Sequence, residues 1–306
     1  MYVLGTAGHV DHGKSSLILA LTGIDPDRLI EEKERGLTIE LGFAWLKLPS
    51  GREVSIIDVP GHERFIKNML AGIGGIDVAL LIVAADEGVM PQTREHLAIL
   101  DLLNIHRGLV AITKKDLVDQ EMMELVQMDI EDVLQGTSLE GSPVVATTVK
   151  TGEGLEELTT NIDVLLENTS TRRDIGKPRL AIDRVFTMKG FGTVVTGTLV
   201  DGSLSTGQTV EILPAGLKAG IRGLQTHKKK IDTVLPGTRV AVNLSGISLE
   251  ALSKGDVVAI PGWLKPTRFM DVKLRAISNL SRTITHNKAI TFHTGSSESI
   301  GKVRLL

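Results

Sequence analysis

Residues 8–15 read Gly-His-Val-Asp-His-Gly-Lys-Ser, a glycine-framed run that ends in a lysine and a hydroxyl directly after the apolar stretch opening the chain. Those residue types at that spacing suit phosphate. The two glycines permit a tight turn, the N–H groups of His9, Val10, Asp11, His12 and Gly13 can cradle phosphate oxygens, Lys14 reaches the β- and γ-oxygens, and the Ser15 hydroxyl, with Ser16 beside it, is available to Mg²⁺. Asp58-Val59-Pro60-Gly61 closes a second apolar run. An aspartate there can hold Mg²⁺ through water, and Gly61 can swing toward a γ-phosphate. Thr113-Lys114-Lys115-Asp116 closes a third run. A carboxylate at Asp116 accepts from both the ring N–H and the exocyclic amine of guanine, whereas adenine presents an unmatched acceptor, so guanine is the expected base. Thr148-Val149-Lys150, in Ala-Thr-Thr-Val-Lys-Thr-Gly-Glu-Gly, follows as a loop whose backbone N–H could donate to guanine O6. His9, Asp11 and His12 lie too close together on one tight loop to surround a zinc ion, and packed histidines are expected.

The elements that must position these residues are legible from periodicity. From residue 2 to about 168, short aliphatic runs (Val54 to Val59, Val78 to Ala84, Leu109 to Thr113) alternate with helical spacings. These are Leu97, Leu100 and Leu103, then Leu125, Ile130, Val133 and Leu134, then Leu155, Leu158, Ile162 and Leu166. Such alternation predicts an α/β domain with a doubly wound, mostly parallel sheet and nucleotide at the carboxyl ends of its strands. Residues 168–178 are polar, end in proline and read as a linker. Beyond them, short strands punctuated by Asp201-Gly202, Thr206-Gly207, Pro214 to Gly216, Pro236-Gly237 and Lys254-Gly255 predict a small β-barrel. After Pro261-Gly262 another β-rich segment begins, too short for a complete third barrel. The expected division is residues 1–172, a nucleotide domain; 173–262, a barrel; and 263–306, an incomplete β domain.

Composition narrows the class. With 42% hydrophobic but only 3% aromatic residues, the cores must be built from Val, Ile and Leu. There is no cysteine, so disulfides, thiol catalysis and thiolate metal sites are excluded. No leader pattern precedes the phosphate loop and no apolar run could span a bilayer, so a cytoplasmic protein with no membrane partner is expected. The net charge of −3 does not argue for nucleic acid, although His227-Lys228-Lys229-Lys230 is either a solvated hairpin tip or a contact for an RNA backbone.

Taken in order, Gly8 to Ser15, then Glu32-Lys33-Glu34-Arg35-Gly36-Leu37-Thr38-Ile39, then Asp58-Val59-Pro60-Gly61-His62-Glu63 resemble the translational GTPases of the elongation factor Tu type. Leu37 to Ala44 and Ile182 to Thr198 resemble, within them, the selenocysteine-specific elongation factors (SelB). The resemblance covers nearly the whole chain. It implies binding of GTP and GDP with Mg²⁺ held by Ser15, Thr38 and Asp58, with Thr38 in a loop (switch I) that is ordered only while a γ-phosphate is present. It makes His62 the residue that orients the attacking water, Lys14 and Thr38 its catalytic companions, and Val10 and Leu37 an apolar gate holding His62 back. Asp11 matches a position that can help hold a monovalent cation. No arginine matches a finger supplied in cis, so hydrolysis is expected to be slow until the ribosome stimulates it.

In the second domain the resemblance implies a cationic pocket for an ionised selenol, built from Arg184 and Arg239, with Asp183 orienting them and His227 a further member. The implied partners are selenocysteinyl-tRNA and the ribosome. Domains that read an mRNA hairpin would follow a complete third barrel, which these residues do not finish, and a monomer is expected. Another tRNA cargo, such as initiator tRNA, and a GTP-switched binding module without catalysis are the alternatives. Thr113 stands where most GTPases carry Asn, which forfeits an amide hydrogen bond of about 1 kcal/mol and should ease GDP release.

Overall fold

The computed structural model describes residues 2–305 except 28, 36, 74, 168, 170, 171, 189 and 277–282. The linker expected over 168–178 therefore lies partly outside the described residues. The chain separates into two compact units, Tyr2–Ser170 and Thr171–Leu306.

In the first unit, strands β1 (Tyr2–Gly8), β2 (Gly42–Lys47), β3 (Glu53–Asp58), β4 (Val78–Ala84), β5 (Gly108–Thr113) and β6 (Val144–Ala146) form one sheet in the order β2-β3-β1-β4-β5-β6. Pairing is parallel except for β2, which runs antiparallel to β3 at one edge. Among the described residues six α-helices complete the unit: α1 (Lys14–Thr22), α2 (Ile30–Arg35), α3 (Ile66–Ile73), α4 (Pro91–Leu102), α5 (Gln120–Leu134) and α6 (Leu155–Glu167). Every residue of β4, Val-Ala-Leu-Leu-Ile-Val-Ala, is buried, as a central strand covered on both faces requires. Leu17 and Ile18 of α1 and Leu158, Ile162 and Leu166 of α6 pack on one face. Met69 of α3, Leu97 and Leu100 of α4, and Met123, Val126, Ile130 and Leu134 of α5 pack on the other. The doubly wound reading holds, with two corrections: Leu103 follows the end of α4 and is 42% exposed, and α5 turns a different face inward. Leu125 is 55% exposed, because the buried face runs through Met123, Val126, Ile130 and Leu134 and leaves it to one side.

Local chemistry sets the helix ends that matter for the site. Gly13 takes a left-handed conformation (φ 80°) as the residue before α1, so the chain turns from phosphate loop to helix within one residue. Pro91 opens α4 with its fixed φ, and Asp119 caps α5 by accepting the Met122 N–H at 2.9 Å.

The second unit contains β7 (Arg179–Ala181), β8 (Arg184–Met188), β9 (Gly192–Val200), β10 (Leu204–Ser205), β11 (Thr209–Leu213), β12 (Leu217–Thr226), β13 (Lys229–Ile231), β14 (Thr233–Val234), β15 (Arg239–Ser245) and β16 (Val257–Ala259). The pairing β11-β16-β7-β9-β15-β12 closes on itself through β11–β12, giving a six-strand barrel with no free edge in the ring. Val195, Leu199, Ile212, Leu224, Val242 and Val258 fill it. Beyond Gly262 the expected further β structure is present as a hairpin. Among the described residues the next strands are β17 (Ala289–Thr294) and β18 (Ser297–Lys302), a single hairpin. Phe269 is 83% exposed in the stretch before it, so the apolar letters there mark no packed strand.

Candidate functional site

The loops after the carboxyl ends of β1 and β3 meet around a cleft of about 440 Å³. Its lining includes Val10, Asp11, Gly13, Lys14, Ser15 and Ser16 from the loop and α1, Leu37 and Thr38 from the loop after α2, and Gly61 from the loop after β3. Lys14 is 6% exposed, and its Nζ donates to the carbonyls of Gly8 (3.2 Å) and His9 (2.5 Å). Burial pushes the Lys14 ammonium down to about 8, while the carboxylates of Asp58, Asp11 and Asp27 pull the other way. Gly61 lies so close that a Cβ there would fall 2.3 Å from Lys14 Nζ and 2.8 Å from Val10 N. A side chain would occupy the space beside the lysine.

Side-chain oxygens converge next to the lysine. Ser15 Oγ donates to Asp58 Oδ2 at 2.7 Å and lies 2.9 Å from Thr38 Oγ1, and Thr38 Oγ1 donates to Asp27 Oδ1 at 2.9 Å. Asp58 is fully buried and its other oxygen accepts from Thr6 Oγ1 at 2.7 Å; burial raises its carboxyl above the usual range. A set of hydroxyls and carboxylates is a hard-oxygen set, the chemistry Mg²⁺ prefers. His62 is half-buried on the loop after Gly61, and its Nδ1 accepts the Arg64 N–H at 3.2 Å. His9 and His12 meet edge to face with ring centroids 5.1 Å apart. His12 is buried, its Nδ1 accepts the Ala84 N–H at 3.2 Å, and burial pushes it down to about 4. Among the described residues no cluster of His, Cys, Asp and Glu suited to a metal ion is found.

The residues expected to face the base form a second constellation. Thr113 Oγ1 donates to the His12 carbonyl at 2.7 Å, so the loop after β5 is fastened to the phosphate loop. Lys114 takes a left-handed conformation and pairs with Asp86 (3.3 Å) and Glu87 (3.4 Å). Asp116 Oδ1 accepts from Thr148 Oγ1 at 2.6 Å and Lys150 Nζ lies 3.6 Å from Oδ2, with Thr148 holding the carboxyl below its usual range. Val149 is exposed.

In the barrel, Arg239 forms a two-point pair with Asp183, one contact at 3.0 Å, and Nη2 also donates to Thr196 Oγ1 at 3.3 Å. The register places Arg184 opposite Thr196 and Arg239 opposite Thr198 on either side of β9. Thr196 and Thr198 are two apart, so both arginines project from the same outer face. His227 and Lys228, both with positive φ, make the tight turn between β12 and β13. The basic run is thus a hairpin tip.

The family model described as the elongation factor Tu GTP-binding domain matches residues 1–168, more than half of the chain, and the model for elongation factor Tu domain 2 matches residues 192–259. The chain belongs to the elongation factor Tu GTP-binding family. It is 50% identical over 304 residues to the selenocysteine-specific elongation factor of Desulfomicrobium baculatum, covering 99% of this chain and 48% of that protein. The crystal structure of a bacterial selenocysteine-specific elongation factor, EF-Sec, superposes with a TM-score of 0.90 at 34% identity, over 99% of this chain and 51% of that one. SelB from Methanococcus maripaludis, in complex with the GTP analogue GppNHp, superposes at 0.83 and 30% identity, over 98% and 64%. The chain spans about half the length of the first two of these relatives.

Within this elongation factor Tu fold, sequence reading missed four side chains that hold the loops of the cleft. His96 Nδ1 accepts the Gly8 N–H at 3.0 Å and Gln92 Oε1 accepts the Val10 N–H at 3.2 Å, so α4 holds two phosphate-loop amides. Asp27 takes the Thr38 hydroxyl, and Glu32 is 3% exposed in α2. A signal for α4 was available: Gln92 and His96 are four apart, on one helix face. Among the described residues, no helix of this family member is long and apolar enough to cross a membrane.

Proposed function

We propose that this chain is the nucleotide-switching and cargo-binding part of a selenocysteine-specific translation elongation factor, which binds selenocysteinyl-tRNA in its GTP state, delivers it to the ribosome and hydrolyses GTP to GDP and phosphate. The observation that carries the reading is the meeting of Lys14, Ser15, Thr38 and Asp58 at one cleft in a chain half identical to a selenocysteine-specific factor.

Lys14 binds the β- and γ-phosphates, the amides of residues 9–13 orient them, and Asp116 with the Thr148–Lys150 loop selects guanine. Ser15, Thr38 and Asp58 would hold Mg²⁺, which when bound neutralises charge on those phosphates. His62 orients a water for in-line attack on the γ-phosphorus. The bond to the bridging oxygen breaks, GDP leaves, and the water's proton ends on the released phosphate. Val10 and Leu37, both on the cleft wall, keep His62 away until the ribosome rearranges them. Arg184 and Arg239, with Asp183 and His227, distinguish an ionised selenol from the neutral hydroxyl of a seryl ester.

Two measurements test this. With GTP and then GDP, the ester of selenocysteinyl-tRNA should be protected from hydrolysis only in the GTP state, and the seryl ester of the same tRNA should not; equal treatment of both esters would remove the cargo. Ribosome-stimulated GTP turnover should fall by about two to four orders of magnitude in His62→Ala with nucleotide affinity unchanged. An unchanged rate would remove His62 from the reaction.

A further inference from the structure

The loop that carries Thr38 is gripped by two side chains to which the nucleotide chemistry gives no role. Glu32, buried in α2, accepts the Leu29 N–H through Oε2 at 2.8 Å and the Ile39 and Glu40 N–H groups through Oε1 at 3.1 and 3.0 Å. Three backbone donors on one buried carboxylate offset its desolvation and tie Leu29, Ile39 and Glu40 to α2. The carbonyl of Ile39 in turn accepts Asn68 Nδ2 at 2.8 Å. Asn68 belongs to α3, which follows the Gly61-His62 loop after one short turn of 3₁₀ helix. Ile39, the residue after Thr38, is therefore held through its N–H by its own segment and through its C=O by α3.

We propose that Glu32 and Asn68 are positioning residues that couple the Thr38 loop to α3, so that the Thr38 hydroxyl and the segment bearing His62 are set in place together. The proposal rests on the reading of Thr38 and His62 as parts of a GTPase site. It makes Ile39 the mechanical joint between them. Neither residue needs to touch nucleotide for this; both act through the backbone, and the one residue they share is Ile39.

The test is limited trypsin digestion, which reads the accessibility of the bonds after Lys33 and Arg35 directly, together with titration of fluorescent GppNHp. The proteins are wild type, Glu32→Ala, Asn68→Ala, Asn68→Asp and the double alanine variant. Each single alanine change should speed cleavage of the GppNHp-bound protein about tenfold, the worth of a charge-assisted or buried hydrogen bond. Asn68→Asp, equal in size but presenting an acceptor to the Ile39 carbonyl, should be as labile as Asn68→Ala. The double variant should be little worse than the more damaging single one, because both changes release the same residue. Cleavage at the wild-type rate in variants that still bind GppNHp, or effects that multiply in the double variant, would overturn the coupling and leave the GTPase reading standing. Failure of the wild type to bind GppNHp would overturn that reading and the coupling with it. If Glu32→Ala does not fold, the two Asn68 variants decide the question alone.

Discussion

Lys14 in the α/β unit and Arg239 in the barrel are both enclosed cations, and the protein treats them in opposite ways. Lys14 gives its hydrogen bonds to backbone carbonyls, which solvate it without cancelling its charge, and its ammonium is held well below its ordinary range by burial. Arg239 is matched by the Asp183 carboxylate in a two-point pair that is 14% and 10% exposed on its two sides. A buried ammonium without a directly paired anion is costly to fold and strongly attractive to an incoming phosphate; a paired guanidinium is cheaper to hold and offers little net field. The phosphate end of the molecule is poised for charge. The barrel face presents instead a guanidinium already matched by a carboxylate, with Arg184 beside it across β9.

The largest effect should come from breaking the first half of this contrast. Lys14→Met removes a desolvated cation from the phosphates, and GTP affinity should drop by about two to three orders of magnitude while thermal stability rises or holds. Isothermal titration and a melting curve on the same sample check both. A variant that binds normally would mean the Lys14 charge is not directed at nucleotide. The barrel half is sharpened by comparing Arg184→Gln with Asp183→Asn. The first should weaken GTP-dependent protection of selenocysteinyl-tRNA about ten- to a hundredfold and leave seryl-tRNA unaffected. The second frees the Arg239 charge and should strengthen the preference for the selenol. Equal losses for both esters in Arg184→Gln would remove the selenolate argument.

What was legible in the sequence divides along the same line as what is local. Gly8 to Ser15, Asp58 to Gly61 and Thr113 to Asp116 are contiguous runs whose chemistry depends on neighbours one or two residues away, and each lies at the end of a strand whose apolar letters are equally local. For His96 and Gln92 the four-residue spacing marks a shared helix face but not what it meets, and for these two and Glu32 the partners are backbone amides, which carry no letter. For His96 and Gln92 those amides are also 88 and 82 residues away. The exposed Leu125 has the same origin: spacing reveals a helix, but which face is covered depends on the sheet beneath it. In the barrel, alternation predicted strands, while the register that sets Arg184 and Arg239 on either side of β9 came only with the pairing.

A smaller effect concerns the joint between the two constellations of the cleft. Thr113 Oγ1 already ties the base-side loop to the His12 carbonyl, so the residue does bridge to the phosphate loop, with a hydroxyl where an amide would have more than one bond to give. Thr113→Asn should therefore slow GDP dissociation about fivefold, the kinetic equivalent of one added hydrogen bond. Stopped-flow release of fluorescent GDP measures it. An unchanged rate would mean that the Thr113 hydroxyl does all that the larger side chain could do there.

The smallest effect tests why Lys14 can remain uncancelled. His12 and His96, both buried beside the phosphate loop, are kept neutral: burial pushes them down to about 4 and about 3, and for His96 the Lys14 charge is the next cause. A charged imidazolium in either place would compete with Lys14 for phosphate and repel it, so neutral rings that accept N–H bonds from Ala84 and Gly8 support the loop at no electrostatic cost to the lysine. The folded rings titrate below the ordinary histidine range, so the unfolded chain binds more protons between those values. Their contribution to stability is complete above the ordinary range near 6.5 and is lost as the pH falls toward 4. Between pH 7.5 and 5.5 the loss should be about 1 kcal/mol per histidine, and it should show as a falling melting temperature. His96→Asn keeps an acceptor for the Gly8 N–H but cannot titrate, so it should remove about half of that acid sensitivity while leaving GTP affinity near the wild-type value. The same melting loss in both proteins would show that His96 is not the group responding. The neutrality of the loop's neighbours would then have to be sought in His12, whose ring faces Glu87 across 3.7 Å.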